Sequence, residues 1–151
     1  MPIPNQALIL VADGRKLLFL RNHGDAAQLD LRTEAHDERD DAKDGEMKSD
    51  APGLTGQSFG FGRSAMDETD YHQQAEDQWA KDAAETLNRR ALANDYEALV
   101  VVAPPKTLGE LRKHFHKEVE KRLVATFNKE MTDRPLADIG DLLAGEAAPP
   151  A

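Results

Sequence analysis

Residues 99–115 read LVVVAPPKTLGELRKHF, and this stretch decides the fold. Val100, Val101 and Val102 form a continuous apolar run, the pattern of a strand buried on both faces of a sheet. Pro104 and Pro105 cannot extend a hydrogen-bonded ladder, and Pro105 also drives Pro104 away from helical geometry. Thr107 and Glu110 then match a T-x-x-E capping box, so a helix is expected to start at Thr107. Leu108, Leu111, Phe115 and Val119 would share its buried face. A strand, a tight exit and a capped helix mark an α/β protein, with a functional edge expected at the strand exit.

Before this stretch, Ala7–Ala12 and Lys16–Arg21 are apolar runs separated by Asp13-Gly14-Arg15. Asp-Gly between such runs predicts a hairpin, because glycine tolerates positive φ at the turn. Gln28–Ala35 alternates, with Leu29, Leu31, Thr33 and Ala35 on one face, and predicts a third antiparallel strand. From Asp67 to about Ala93, Ala75, Trp79, Ala83, Leu87 and Ala91 recur every four residues, with Ala80 and Ala84 widening the stripe. That spacing predicts a long helix whose small residues let it lie close to a sheet, with Trp79 on the core stripe. Leu123–Phe127 predicts a fifth strand. Thr132 or Asp133 would cap a last helix from about Pro135 that buries Leu136, Ile139, Leu142 and Leu143. The order is β-β-β-α-β-α-β-α: a three-strand antiparallel meander, then αβαβα, forming a mixed five-stranded sheet in a single α/β domain over residues 1–145. Residues 36–66 lack periodicity and are expected to form a flexible loop, and 146–151 a disordered tail.

Composition narrows the chemistry. The 151 residues include no cysteine, which removes disulfides, thiolate metal sites and cysteine nucleophiles together. The N-terminal apolar run has no basic leader, and no stretch approaches the ~20 apolar residues of a membrane span. A cytoplasmic location is the expectation. The net charge of −9 opposes broad, non-specific nucleic-acid binding. The charge is uneven, however: residues 34–50 hold eight acids against three bases, and residues 106–122 hold six bases against three acids. Lys106, Arg112, Lys113 and Lys117 therefore stand as candidate binding residues for RNA phosphate or an acidic partner, or as a solvated helix exterior. His114 and His116 flank Phe115 and would add to that face when protonated, below pH ~6.5.

Several segments resemble the bacterial host-attachment family, whose members are called "protein required for attachment to host cells". They are Ser49–Gly53 (SDAPG), residues 62–88 (GRSAMDETDYHQQAEDQWAKDAAETLN), the 100–115 run and the ending NKEMTDRPLADIGDLL. That family is related to bacterial relatives of the central domain of archaeal and eukaryotic peptide-chain release factors. The element order also resembles that domain and the ribonuclease-H-like arrangement. The resemblance implies a partner-binding protein, with RNA, the ribosome or another protein as partner and no cofactor. Its alternative is a hydrolase of peptidyl-tRNA esters. In release factors a Gly-Gly-Gln loop orients water for that reaction, and here the nearest string is Thr55-Gly56-Gln57, with Thr in place of the first glycine. Gly56 and Gln57 are thus the candidate catalytic residues, set against a loop that happens to contain Gly-Gln. Arg63 is a candidate phosphate ligand, or a partner for Asp67 or the acidic run.

Other constellations are weaker. Asp13 falls at a turn, where turn duty explains it. Glu34, His36, Asp37 and Glu38 could ligate a cation but lie in a stretch that reads as solvated loop. His72 and Glu76 share a helical face at i, i+4 with no third ligand, the pattern of a surface hydrogen bond. No metal site is expected.

Overall fold

The computed structural model describes residues 3–39 and 65–147. Five strands, β1 (Leu8–Ala12), β2 (Lys16–Asn22), β3 (Leu31–Glu38), β4 (Leu99–Val102) and β5 (Leu123–Phe127), form one sheet in the order β3-β2-β1-β4-β5. β1 pairs antiparallel with β2 and parallel with β4, from Leu8↔Leu99 to Val11↔Val102, and β4 pairs parallel with β5. This is the expected mixed sheet, with β1 and β4 at its centre and every residue of both strands buried.

Alternation along the two central strands sorts the core into two layers. On one face Leu8, Leu10, Leu99 and Val101 meet Ala80, Ala83, Ala84, Leu87 and Ala91 of α1 (Ala65–Leu92), together with Leu108, Leu111 and Val119. The other face sets Ile9, Val11, Leu20, Val100 and Val102 against Ile139 and Leu143 of α4 (Leu136–Ala147). Four alanines on the buried stripe let α1 approach the sheet closely, as its sequence predicts. Trp79 does not join that core: it is half-buried, and its indole N–H has no hydrogen-bond partner among the described residues.

The helix after β4 differs from the sequence expectation in two ways. α2 spans Pro105–His114, with Pro104 as N-cap, three residues before the Thr107 of the capping box, and no side-chain cap. Proline at the first helical position has its φ preset and lacks an N–H that would need a partner, so it displaces Thr107 as the start. The apolar face then continues across a break. Phe115 and His116 are extended, and a second short helix, α3 (Lys117–Arg122), buries Val119. Asn88 of α1 holds the break: its Nδ2 donates to the His114 carbonyl at 2.9 Å, and its Oδ1 accepts from the His116 N–H at 2.9 Å. His116 caps α3, its Nδ1 accepting from the Glu118 N–H at 3.0 Å, so His114 and His116 belong to different elements.

Further departures are local. β3 begins at Leu31 and runs to Glu38, into the stretch expected to be loop. A register shift at Phe19/Leu20 places Thr33 opposite Leu20 and Ala35 opposite Phe19, on different faces of the sheet, so the expected one-faced alternation is broken. α1 ends in a Schellman arrangement: Asn94, at φ 60°, donates to the Ala91 carbonyl, and Asp95 donates to that of Arg90. Neither Thr132 nor Asp133 caps α4, since the Asp138 and Ile139 N–H groups go to the Pro135 carbonyl, and Leu136 is exposed rather than buried.

Candidate functional site

The carboxyl ends of the parallel strands β1 and β4 form a switch point. The chain leaves β1 toward β2 on one side and β4 toward β5 on the other, and a crevice opens between the two exits. Here it is an open cleft of about 350 Å³. The β1–β2 turn contributes Asp13, Gly14, Arg15 and Lys16, and the β4 exit with α2 contributes Pro104, Lys106 and Thr107. Glu130 and Asp133 reach it from the segment after β5, and Glu76 from α1.

Asp13 organises the turn. Its Oδ1 accepts from the N–H groups of Arg15 at 2.8 Å and Lys16 at 2.7 Å, and its Oδ2 accepts from the Thr132 hydroxyl at 2.6 Å. Burial alone would raise this carboxyl, but the Thr132 hydroxyl and the two backbone N–H groups outweigh it and hold the group below its ordinary value. A carboxylate so stabilised is a weak base. The Thr132–Asp13 bond therefore fastens the segment after β5 to the turn rather than activating the hydroxyl. Lys16 extends the same fastening by pairing with Asp133, whose carboxylate raises the ammonium above its usual range. No described glycine has positive φ. A Cβ at Gly14 would fall 2.8 Å from Cδ of Glu76, a flexible side chain that can swing aside to make room.

The expected strand-exit location therefore coincides with a real crevice, but most of its lining escaped the sequence reading. Of the described candidate binding residues only Lys106 lines it. Arg112 is exposed and donates to the Thr126 hydroxyl at 3.2 Å, Lys113 pairs with Glu110 at 3.0 Å, and Lys117 is exposed on α3. The basic run is partly neutralised from within. Lys121 pairs with Glu118, and Arg122 turns inward to Glu118, the Tyr96 carbonyl and Asn94. Lys106 and Lys117 have no ion pair among the described residues. Gly56, Gln57 and Arg63 lie outside the described residues.

Glu34 does not take part in a cation site. It faces Arg21 and Arg90, 2.9 Å from each, while Glu38 pairs with Arg15 at 3.3 Å. Among the described residues no group of three or more His, Asp or Glu is placed to hold a metal, and no helix is long and apolar enough to cross a membrane. Lys16 and Glu130 carried no local signal, and those of Glu76 and Asp133 pointed elsewhere, to a pair with His72 and to a helix cap, because only the folded chain brings residues so distant in sequence to one edge.

Residues 6–143 match the family model described as bacterial archaeo-eukaryotic release factor family 12. That span takes in all five strands, α1 to α3 and most of α4. No curated protein matches the sequence.

Proposed function

The chain belongs to bacterial archaeo-eukaryotic release factor family 12, and on that footing we propose that it is a cytoplasmic binding protein that engages RNA or the ribosome. The observation that carries this reading is the extent of the family match, which covers nearly the whole fold and not a fragment of it. Lys106, Arg112, Lys113 and Lys117, all exposed on α2 and α3, are the residues proposed to meet phosphate. The Lys113–Glu110 contact does not compete strongly, because exposed pairs are worth only about 0–1 kcal/mol. Arg63 would add to them from the segment before α1. Attachment to host cells, which the SDAPG and 62–88 segments bring to mind, is on this reading a downstream consequence of the binding.

Co-sedimentation with bacterial ribosomes over a salt series tests the proposal. Binding should weaken as salt rises, since each phosphate contact releases counterions. The double variant Lys106→Glu, Lys117→Glu should lose at least about tenfold in affinity at low salt, roughly what two such contacts supply. Wild-type protein that stays in the supernatant, or that binds without regard to salt, would defeat the reading.

A second reading, hydrolysis of peptidyl-tRNA esters, is favoured by one specific feature, the Thr55-Gly56-Gln57 string ahead of α1. Gln57 would orient the attacking water, with Gly56 giving the backbone freedom to approach the ester. Release of labelled peptide from stalled ribosomes should then occur with wild type and drop sharply with Gln57→Ala. Equal release by both, or by neither, excludes it.

A further inference from the structure

Edge strand β3 is attached to the molecule in an unusual way. Apart from Leu31, which packs half-buried against the second core layer, all its residues are exposed, and among the described residues it pairs only with β2. Its ladder is interrupted at the Phe19/Leu20 register shift. At that shift Glu34 turns toward α1 and is grasped by two guanidinium groups, Arg21 Nε at 2.9 Å and Arg90 Nη2 at 2.9 Å.

The receiving groups are built without β3. Arg21, only 6% exposed, also donates to the carbonyls of Gln6 at 3.1 Å and Asp95 at 3.2 Å, and its Nη2 lies 3.6 Å from the Asp95 carboxylate. Arg90 donates to Asp95 at 2.6 Å and lies over the Phe19 ring, 5.2 Å from its centroid. Asp95 therefore stays in contact with both cations when Glu34 leaves, and the site then carries one net positive charge. The two guanidiniums also hold the Glu34 carboxyl below its ordinary value, against the opposing effect of burial.

We propose that β3 is a latch: an edge strand held closed chiefly by Glu34 in the Arg21–Arg90 receiver, and able to open as a unit while the rest of the sheet stays folded. Opening uncovers Leu31 but otherwise draws on residues that are already exposed, so its free-energy cost lies below that of global unfolding. It removes one carboxylate from a site that keeps a second, so each guanidinium retains a carboxylate contact, Arg21 at 3.6 Å and Arg90 at 2.6 Å.

Hydrogen–deuterium exchange of the full chain at pH 7, resolved by peptide, tests this with wild type, Glu34→Gln and Glu38→Gln. Wild-type β3 should exchange far faster than β1 and β4. Glu34→Gln should speed β3 by about tenfold or more, the loss expected for charge-assisted hydrogen bonds, and leave β1 and β4 unchanged. Glu38→Gln removes only an exposed pair with Arg15 and should alter β3 less than about threefold. Equal protection of wild-type β3 and β1 overturns the proposal. So does a Glu34→Gln variant whose strands all accelerate together or that fails to fold, since Glu34 would then be a keystone; so too does one in which β3 is unchanged.

Discussion

Asp13 shows how one carboxylate can join distant parts of the chain. Two of its bonds close its own turn, and the third holds Thr132, 119 residues away. Its folded pKa is lowered, so its stabilising contribution is present above the unfolded value of about 3.9 and is lost as pH falls through the folded value. Asp13→Asn should cost about 1–3 kcal/mol at neutral pH, and the gap from wild type should close as pH drops below that unfolded value. Denaturant titrations over a pH series measure it, and a gap independent of pH would contradict the assignment. The turn role of Asp13 was legible, because Asx turns are made by residues two or three apart. The bond to Thr132 was not, since nothing near either residue announces it. Glu34 is the harder case: alternation was expected to run straight through it, and a single bulge turned it toward α1.

At the scale of elements, four of the five strands were legible, and the start of α2 and the break after it were not. β1, β2, β4 and β5 follow from apolar runs bounded by turn residues, all local signals. The start of α2 was misread because two local signals compete there, a capping box at Thr107 and a proline at the first helical position, and the proline prevails. Thr107→Ala should therefore cost less than about 0.5 kcal/mol, where an operating N-cap would cost about 1. The break after His114 was hidden because the spacing Leu108, Leu111, Phe115, Val119 suits one helix or two. Asn88, on another element, supplies the partners the broken backbone needs. Asn88→Ala leaves the His116 N–H and the His114 carbonyl without those bonds and should cost about 1–3 kcal/mol, read from thermal or denaturant unfolding. An unchanged midpoint would show that water serves those groups equally well. Edge strand β3 carries charge along its length and a bulge at its middle, both of which discourage pairing with another sheet.

For the molecule as a whole, the order of strands and helices sets the architecture, and one fully buried strand beside the double proline locates the crevice. On the proposed reading phosphate is met by exposed cations that have no ion pair among the described residues, and here the structure revises the sequence. The run from Lys106 to Arg122 reads as one basic face, yet Arg122 is spent on the Tyr96 carbonyl and Glu118, and Lys121 on Glu118. Lys106, Arg112 and Lys117 are what is left without an ion pair among the described residues, which limits the proposed phosphate contacts to a few and predicts a shallow salt dependence. The central claim is that this family 12 member engages RNA or the ribosome in the cell. Ultraviolet crosslinking in living cells, followed by sequencing of the RNA recovered with the protein, tests it most directly. Discrete crosslinks on ribosomal or transfer RNA, lost in the Lys106→Glu, Lys117→Glu variant, are the expected result. Recovery no greater than from an unrelated acidic protein, or crosslinks unchanged by the double variant, would contradict it.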